Sequence, residues 1–131
     1  MLAGFRWKRD PGNPVLPPAT DSAYESTRCM NPYVVRVGNE YQLYYSGGDA
    51  EGNQRICMAI APVEGPHHFT RHGVILGVGE AGCFDARWCV LPCVHRFGTK
   101  WHLYYSGPEG TDLGLQSFPG IGLALSDDGI H

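Results

Sequence analysis

The sequence predicts an all-β fold made of consecutive four-stranded antiparallel sheets. Among its 131 residues, 18 Gly and 10 Pro are spread evenly, so turns are frequent along the whole chain. The runs between these turns are short and rich in Tyr, Val, Ile and Leu, and none has the sustained period of about 3.6 residues that a helix needs. Two segments also match each other at a fixed spacing, which indicates repeated units.

The internal match is long and has no gap. Residues 24–47 align with residues 84–107 at a constant shift of 60 residues. Ten of the 24 aligned pairs are identical, among them Cys29/Cys89 and the string Tyr-Tyr-Ser-Gly that closes both segments. Two unrelated hairpins would share a Gly or a Tyr, but not a match of this length. The sequence therefore predicts a duplicated unit.

Turn residues divide the first unit into four strands, predicted at residues 33–37, 41–46, 55–61 and 69–76. Gly38-Asn39 is a hairpin turn, and Gly/Asp-rich and Pro/Gly-rich stretches separate the later strands. The third strand is expected to alternate large and small side chains: Ile56, Met58 and Ile60 on one face, and Cys57, Ala59 and Ala61 on the other.

The second unit repeats this pattern, with strands predicted at residues 93–97, 101–106 and 120–126 and a loop five residues longer before the last of them. The sequence ends at His131, where a fourth strand would begin. The tyrosines of the two second strands are predicted to be core residues: Tyr44, Tyr45, Tyr104 and Tyr105.

Four antiparallel strands joined by tight turns, with small residues on the third, are typical of a β-propeller blade. A stacked β-sandwich is the competing interpretation, but it would not require the two halves to match so closely. A ring of four such blades would need roughly 240 residues. The chain is therefore predicted to be a propeller fragment of about two blades, the second incomplete.

Charge and composition exclude several classes of partner. Ten Lys and Arg against 13 Asp and Glu give a net charge of −3 with no basic run, so no nucleic acid or anionic membrane surface is expected to bind. The chain has no apolar stretch of about 20 residues and no signal-peptide core, which predicts a soluble, cytoplasmic protein. Five Cys, an odd number, are expected to be reduced thiols rather than a disulfide framework.

No cofactor is predicted. Cys89 and Cys93 lie four residues apart, which in an extended chain is a span of about 13 Å that is too long for easy chelation, and Cys83 does not complete a set. No ligand set for Ca²⁺ is recognisable either.

Several motifs together resemble those of one superfamily. They are Gly-Asn-Pro-Val-Leu at residues 12–16, an acidic residue seven positions before a Pro-x-Val strand, Tyr-x-Leu-Tyr-Tyr-Ser-Gly at residues 41–47, and Gly-Leu-Ala-Leu-Ser-Asp-Asp-Gly-Ile at residues 122–130. From about Trp7 to His131, the chain resembles the five-bladed propellers of arabinanases, levansucrases and invertases.

This resemblance implies the N-terminal portion of a ring of roughly 300 residues. Residues 1–23 would supply a strand that completes the last blade, residues 24–83 would form the first blade, and residues 84–131 would form a truncated second blade.

The resemblance also implies an activity. Most members hydrolyse or transfer glycosidic bonds with acidic residues that surround a central funnel, because the chemistry needs one group to protonate the leaving oxygen and a carboxylate as base or nucleophile. Glu25 and Asp85 both lie seven residues before the Pro of an inner strand and are the predicted catalytic residues; solvated loop acids are the competing interpretation.

One departure from the family pattern leaves an alternative open. Many members have an Asp general base immediately before the inner-strand Pro, where this sequence has Asn31 in the first unit and Leu91 in the second. An amide cannot accept a proton in that role. Either Glu25 or Asp85 does the acid-base work, or the essential groups lie in further blades, or the protein is a non-catalytic sugar-binding or degenerate propeller.

The predicted partner is a carbohydrate, and its predicted contacts are Asn31, Arg28, Arg87 and Trp88. An indole face stacks well on a sugar ring, although packing between blades is the competing role for Trp88. A protein-interaction scaffold is less favoured, because the loops have no aromatic or Arg cluster suited to a hot spot. The uncovered sheet faces of two isolated blades also predict that the fragment self-associates, aggregates or is stable only as part of a longer chain.

Overall fold

The computed structural model describes residue 4 and residues 6–107, 109–111, 114–117 and 120–131. These residues form nine strands and no helix: β1 (Arg28–Val37), β2 (Glu40–Gly48), β3 (Gln54–Pro62), β4 (Thr70–Leu76), β5 (Val90–Phe97), β6 (Lys100–Ser106), β7 (Glu109–Thr111), β8 (Gly114–Ser117) and β9 (Ile121–Ser126). Over the same residues, nothing helical is long and apolar enough to cross a membrane.

Two antiparallel sheets dominate the fold. The first sheet has the order β1-β2-β3-β4, the second sheet has the order β5-β6-β9, and β7 pairs only with β8. The all-β prediction and the predicted strands are confirmed. β1 starts earlier than predicted, at Arg28, because a bulge after Met30 lets the chain continue pairing with β2 on the far side of Pro32.

The longer connection in the second unit differs from the prediction of a plain loop. It contains the β7-β8 hairpin, in which Thr111 lies opposite Gly114. Gly and Pro in this stretch indicated turns. However, a short hairpin requires only backbone hydrogen bonds across the pair, and Gly can make these as well as any other residue.

The main core lies between the two sheets. The first sheet contributes Tyr44, Ile56 and Met58, all fully buried, and the second sheet contributes Val94, Trp101, Leu103 and Tyr105. A small residue in β9 makes this packing possible, since a Cβ atom at Gly122 would lie 2.3 Å from the Tyr105 ring. The tyrosine ring can therefore lie directly on the sheet.

A second cluster lies on the opposite face of the first sheet and contains Leu43, Tyr45, Cys57 and Ala59. The alternation predicted for the third strand is thus confirmed, because Ile56 and Met58 face the second sheet while Cys57 and Ala59 face away from it.

Part of this second cluster is covered by the N-terminal segment, through Leu16. Residues 6–27 contain no strand, and the prediction that residues 1–23 supply a strand to the last blade stays a prediction, because the described sheets do not include that blade. A strand needs a paired neighbour, and none of the described strands pairs with this segment.

Candidate functional site

Glu25 is held in a loop before β1 by three side chains. It is only 3% exposed, and its Oε2 atom accepts a hydrogen bond from the Tyr45 hydroxyl at 2.5 Å. The Arg71 Nε atom forms an ion pair with the same oxygen at 3.1 Å, and the Cys29 thiol lies 3.8 Å from it. This carboxylate is therefore buried and neutralised by a cation within its own blade.

Asp85 occupies the equivalent place in the second unit. Its Oδ2 atom accepts a hydrogen bond from the Tyr105 hydroxyl at 2.7 Å, and the Cys89 thiol lies 3.9 Å away. Asp85 is only half-buried, and none of its described contacts is an ion pair with an arginine. Each acid therefore has one tyrosine and one cysteine of its own unit as partners. The two acids differ in exposure and in whether a cation balances their charge.

The backbone around the two acids also repeats. The amide of Ala19 donates to the carbonyl of Glu25 at 3.1 Å, and the amide of Gly79 donates to the carbonyl of Asp85 at 3.0 Å. We refer to residues 19–27 and 79–87 as the acid loops. Each acid loop is therefore closed by a backbone hydrogen bond within the loop and attached to its own blade by the hydrogen bond from a tyrosine hydroxyl.

The protonation states of the partner groups suit this arrangement. Burial is the main cause that raises the pKa of Tyr45 far above its ordinary value, and the hydrogen bond to Glu25 is the second cause. Burial and the hydrogen bond to Asp85 raise the pKa of Tyr105 in the same way. Burial, followed by the nearby Asp85 charge, raises the pKa of Cys89 to about 12. At neutral pH the phenols therefore keep their protons and donate them to the two carboxylates.

The residue before the inner-strand Pro has an unusual backbone in both units. Asn31 has a φ of 56° and Leu91 a φ of 58°, and each sits at a shift of register in the first strand of its sheet. This left-handed conformation is uncommon for Asn and costs about 1–2 kcal/mol for a residue such as Leu. Strained bulges of this kind redirect a side chain and cluster near active sites.

Trp88 joins the two blades. It is 8% exposed, and its indole N–H donates to the carbonyl of Gly52 at 2.6 Å. Beside it, the backbone N–H of Gln54 donates to the backbone carbonyl of Arg87 at 3.2 Å, and the backbone carbonyl of Gln54 accepts from the backbone N–H of Cys89 at 2.9 Å. With so little of the ring accessible, Trp88 is placed to position the blades, which was the competing interpretation of this residue.

The two predicted arginine contacts are accessible. Arg28 is exposed at the first position of β1, beside Gly48, and the exposed Arg87 lies near Gly52, where a Cβ atom would be 3.3 Å from its guanidinium. Both lie at the end of the sheets where the acid loops meet the connection between β2 and β3.

Asp49 was not predicted as a site residue, although it is buried at this same end. It forms an ion pair with Arg55 at 2.8 Å and accepts hydrogen bonds from the backbone of Glu51 and Asn53. Burial acts to raise the pKa of Asp49, but the hydrogen bonds from Arg55 and Asn53 outweigh it, and the pKa lies below its ordinary value. The Gly-Gly-Asp string was the available signal, but it also fits an ordinary turn.

The predicted residues are thus distributed over one end of both sheets, with each acid bound inside its own blade. The Thr27 hydroxyl ties the first acid loop to the end of β2 and the residue after it, because its one proton is shared between the carbonyls of Gly48 and Asp49, both at 3.0 Å. In the described part of the chain, no group of three His, Cys, Asp or Glu side chains is placed to hold a metal ion.

Solved structures match this arrangement of sheets. A glycosyl hydrolase from Bacteroides ovatus matches with a TM-score of 0.71 and 17% identity, over 91% of this chain and 37% of its own. A structure described as a BT0996 RGII complex and a further glycoside hydrolase each match with a TM-score of 0.67 and 19% identity, over 92% and 91% of this chain and 32% of their own.

The arrangement of sheets therefore matches part of these structures, and the predicted propeller-fragment fold is confirmed. The chain spans about a third of the length of the solved structures that it matches. No protein-family model and no curated protein matches the sequence.

Proposed function

We propose that the chain belongs to a carbohydrate-active protein of glycoside hydrolase type, which hydrolyses or transfers glycosidic bonds. The observation that carries this proposal is the pair of left-handed bulges at Asn31 and Leu91, which lie at the same end as the acid loops. The matching solved structures support it, since they are described as glycosyl or glycoside hydrolases and one as an RGII complex.

Asn31 is the proposed centre of sugar contact in these two blades. Its amide offers both donors and acceptors to sugar hydroxyls, and the bulge holds the half-buried side chain in a defined direction. The exposed residues Arg28 and Arg87 stand at the same end, and a guanidinium group can donate to sugar hydroxyls. Trp88 contributes by joining the blades on which these residues stand.

Asp85 is the better candidate for an acid or base than Glu25. A catalytic acid must reach the glycosidic oxygen within hydrogen-bond distance. Glu25 is almost completely buried and paired with Arg71, whereas Asp85 is only half-buried. We therefore propose Asp85 as the acidic residue that acts on substrate and Glu25 as the group that anchors the first acid loop.

A non-catalytic sugar-binding protein is the second candidate. Two observations favour it: position 31 carries an amide and position 91 an apolar side chain, and both acids accept a hydrogen bond from a tyrosine of their own blade. Such a protein would still bind carbohydrate at Asn31, but it would not turn it over.

Binding is tested first, by calorimetric titration of the 131-residue chain with arabino- and fructo-oligosaccharides. Asn31→Ala should weaken binding by at least about tenfold, because hydroxyl groups lose a directed hydrogen-bond partner. Asn39→Ala is the matched control: this exposed Asn lies in the turn after β1, at the other end of the sheet, and its replacement should leave binding unchanged.

Turnover of aryl-glycosides and the same oligosaccharides then separates the two candidates. In an active protein, Asp85→Asn should abolish turnover while the melting temperature changes little, since an Asn oxygen can still accept the Tyr105 hydrogen bond. Binding without turnover supports the second candidate. If no oligosaccharide binds, or if Asn31→Ala binds as well as the original chain, the proposal is wrong.

A further inference from the structure

The second sheet has an apolar face that the described chain does not cover. This open face, on the side away from the first sheet, carries Tyr104, Ile121, Leu123 and Leu125. Ile121 is 77% exposed and Leu123 is 49% exposed, whereas Ile56 and Met58, which hold the equivalent register positions in β3, are both 0% exposed. The open face thus has the composition of an interface between blades.

The first sheet has a complementary groove on the side away from the second sheet. The groove lies between β1, β2 and the N-terminal segment, and it is lined mainly by Val15, Leu16, Met30, Pro32, Leu43 and Tyr45. Most of these side chains are apolar, so the groove would be more stable with an apolar occupant than with water.

The N-terminal segment lies against the first sheet as the end of β4 lies against the second. The Cys29 thiol is 3.7 Å from the carbonyl of Pro17, and the Cys89 thiol is 3.2 Å from the carbonyl of Gly77. Leu16 packs on the cluster of the first sheet that contains Tyr45, just as Leu76 packs on the core that contains Tyr105. Residues 13–17 therefore occupy the place of the outer strand of a further sheet. The three inner strands of that sheet would fill the groove.

The second sheet supplies three strands of that kind. In the first sheet, β3 pairs with β4, whereas β9 has no partner on its outer edge among the described strands. We propose that two copies of this chain associate head to tail. The open face of the first copy packs into the groove of the second copy, and residues 10–16 of the second copy pair with the free edge of β9 in the first copy.

The pairing in the first sheet gives the register. Ile56 lies opposite Leu76 and Met58 opposite Gly73, so the equivalent pairs between copies are Ile121 with Leu16 and Leu123 with Asn13. Pro14 then stands on an outermost strand, which is where a sheet tolerates proline. The contact is heterologous, because the surfaces that meet are different on the two copies.

Sedimentation of the 131-residue chain over a range of concentrations tests the association. We expect reversible oligomers, and a single charge on either surface should lower the association constant by at least about tenfold. Leu123→Glu alters the open face and Val15→Glu alters the groove. Trp7→Glu is the matched control, since Trp7 is fully exposed and lies on neither surface, and it should leave association unchanged.

Mixing the two variants provides the decisive measurement. Each retains one intact surface, so an equimolar mixture of Leu123→Glu and Val15→Glu should form a 1:1 complex although neither variant associates alone. A symmetric contact between two open faces would give no such rescue. In the unaltered chain, amide hydrogen exchange of residues 121–126 should slow as concentration rises. A monomer at all concentrations, absence of rescue, or exchange in β9 that does not depend on concentration would overturn the proposal.

Discussion

The two blades have nearly the same strand pattern but very different surroundings. Tyr44 and Tyr104 occupy the same position in the second strand of each sheet, yet Tyr44 is 0% exposed and Tyr104 is 38% exposed. The first blade has the second blade on one side and the N-terminal segment on the other, whereas the described residues cover only one face of the second blade. Residues at aligned positions of the two sheets can therefore differ in burial, because what lies over each sheet decides whether the side chain is covered.

The largest expected difference in stability is between alanine replacements of the two equivalent tyrosines, Tyr44 and Tyr104. Tyr44→Ala should lower the free energy of unfolding by about 3–5 kcal/mol, because it leaves a cavity between the sheets and removes the hydrogen bond to the carbonyl of Gly129. Tyr104→Ala should cost about 1 kcal/mol or less, since its ring lies on the open face. Urea unfolding of both variants, at protein concentrations too low for association, measures the difference, and equal losses would show that the Tyr104 ring is already covered within a single chain.

The acids test the same comparison at the site. Glu25→Ala should destabilise the chain by about 3 kcal/mol, because it leaves the Arg71 charge and the buried Tyr45 hydroxyl without their partner. Asp85→Ala should cost about 1–2 kcal/mol, since the Tyr105 hydroxyl loses its acceptor while the Cys89 thiol keeps the carbonyl of Gly77.

Melting temperatures of the two variants give this ranking directly. The conservative variants Glu25→Gln and Asp85→Asn serve as controls, because each keeps an oxygen that can accept the tyrosine hydrogen bond. If Asp85→Ala proves the more damaging of the two alanine variants, Asp85 has a structural role at least as large as that of Glu25, which would weaken the case for it as the acid that acts on substrate.

Much of the fold could be predicted from the sequence because the relevant signals are local. Turn residues fix the strand limits to within a few residues, and the alternation of Ile56 and Met58 with Cys57 indicates which side chains share a face. The exposure of Tyr104 could not be predicted in this way. It depends on what covers the second sheet, and nothing in β6 itself carries that information.

The candidate site was harder to predict for a related reason. Glu25 and Asp85 were found through the repeat, but their difference depends on Arg71, which lies 46 positions beyond Glu25 in β4. Asp49 was missed because its partners bind it through loop geometry rather than through a recognisable motif. Long-range pairing of charges is decided by topology, which sequence spacing does not report.

The smallest expected effect concerns the strained bulges, where the blades differ in residue type but share one backbone. The left-handed φ of 58° at Leu91 lowers the stability of the folded chain, whereas Asn31 adopts nearly the same angle with a side chain that tolerates it. Leu91→Asn should therefore raise the free energy of unfolding by about 0.5–1 kcal/mol, and Asn31→Leu should lower it by a similar amount. Leu91→Ala is the control: it shortens the side chain but keeps a Cβ atom at the strained angle, so it should give no gain. Urea unfolding at constant m-value measures all three. If Leu91→Asn fails to stabilise the chain, packing of the leucine side chain offsets the strain. The hydrogen bond from the Leu91 backbone N–H to the Ser46 hydroxyl is then not the only interaction that holds this backbone in place.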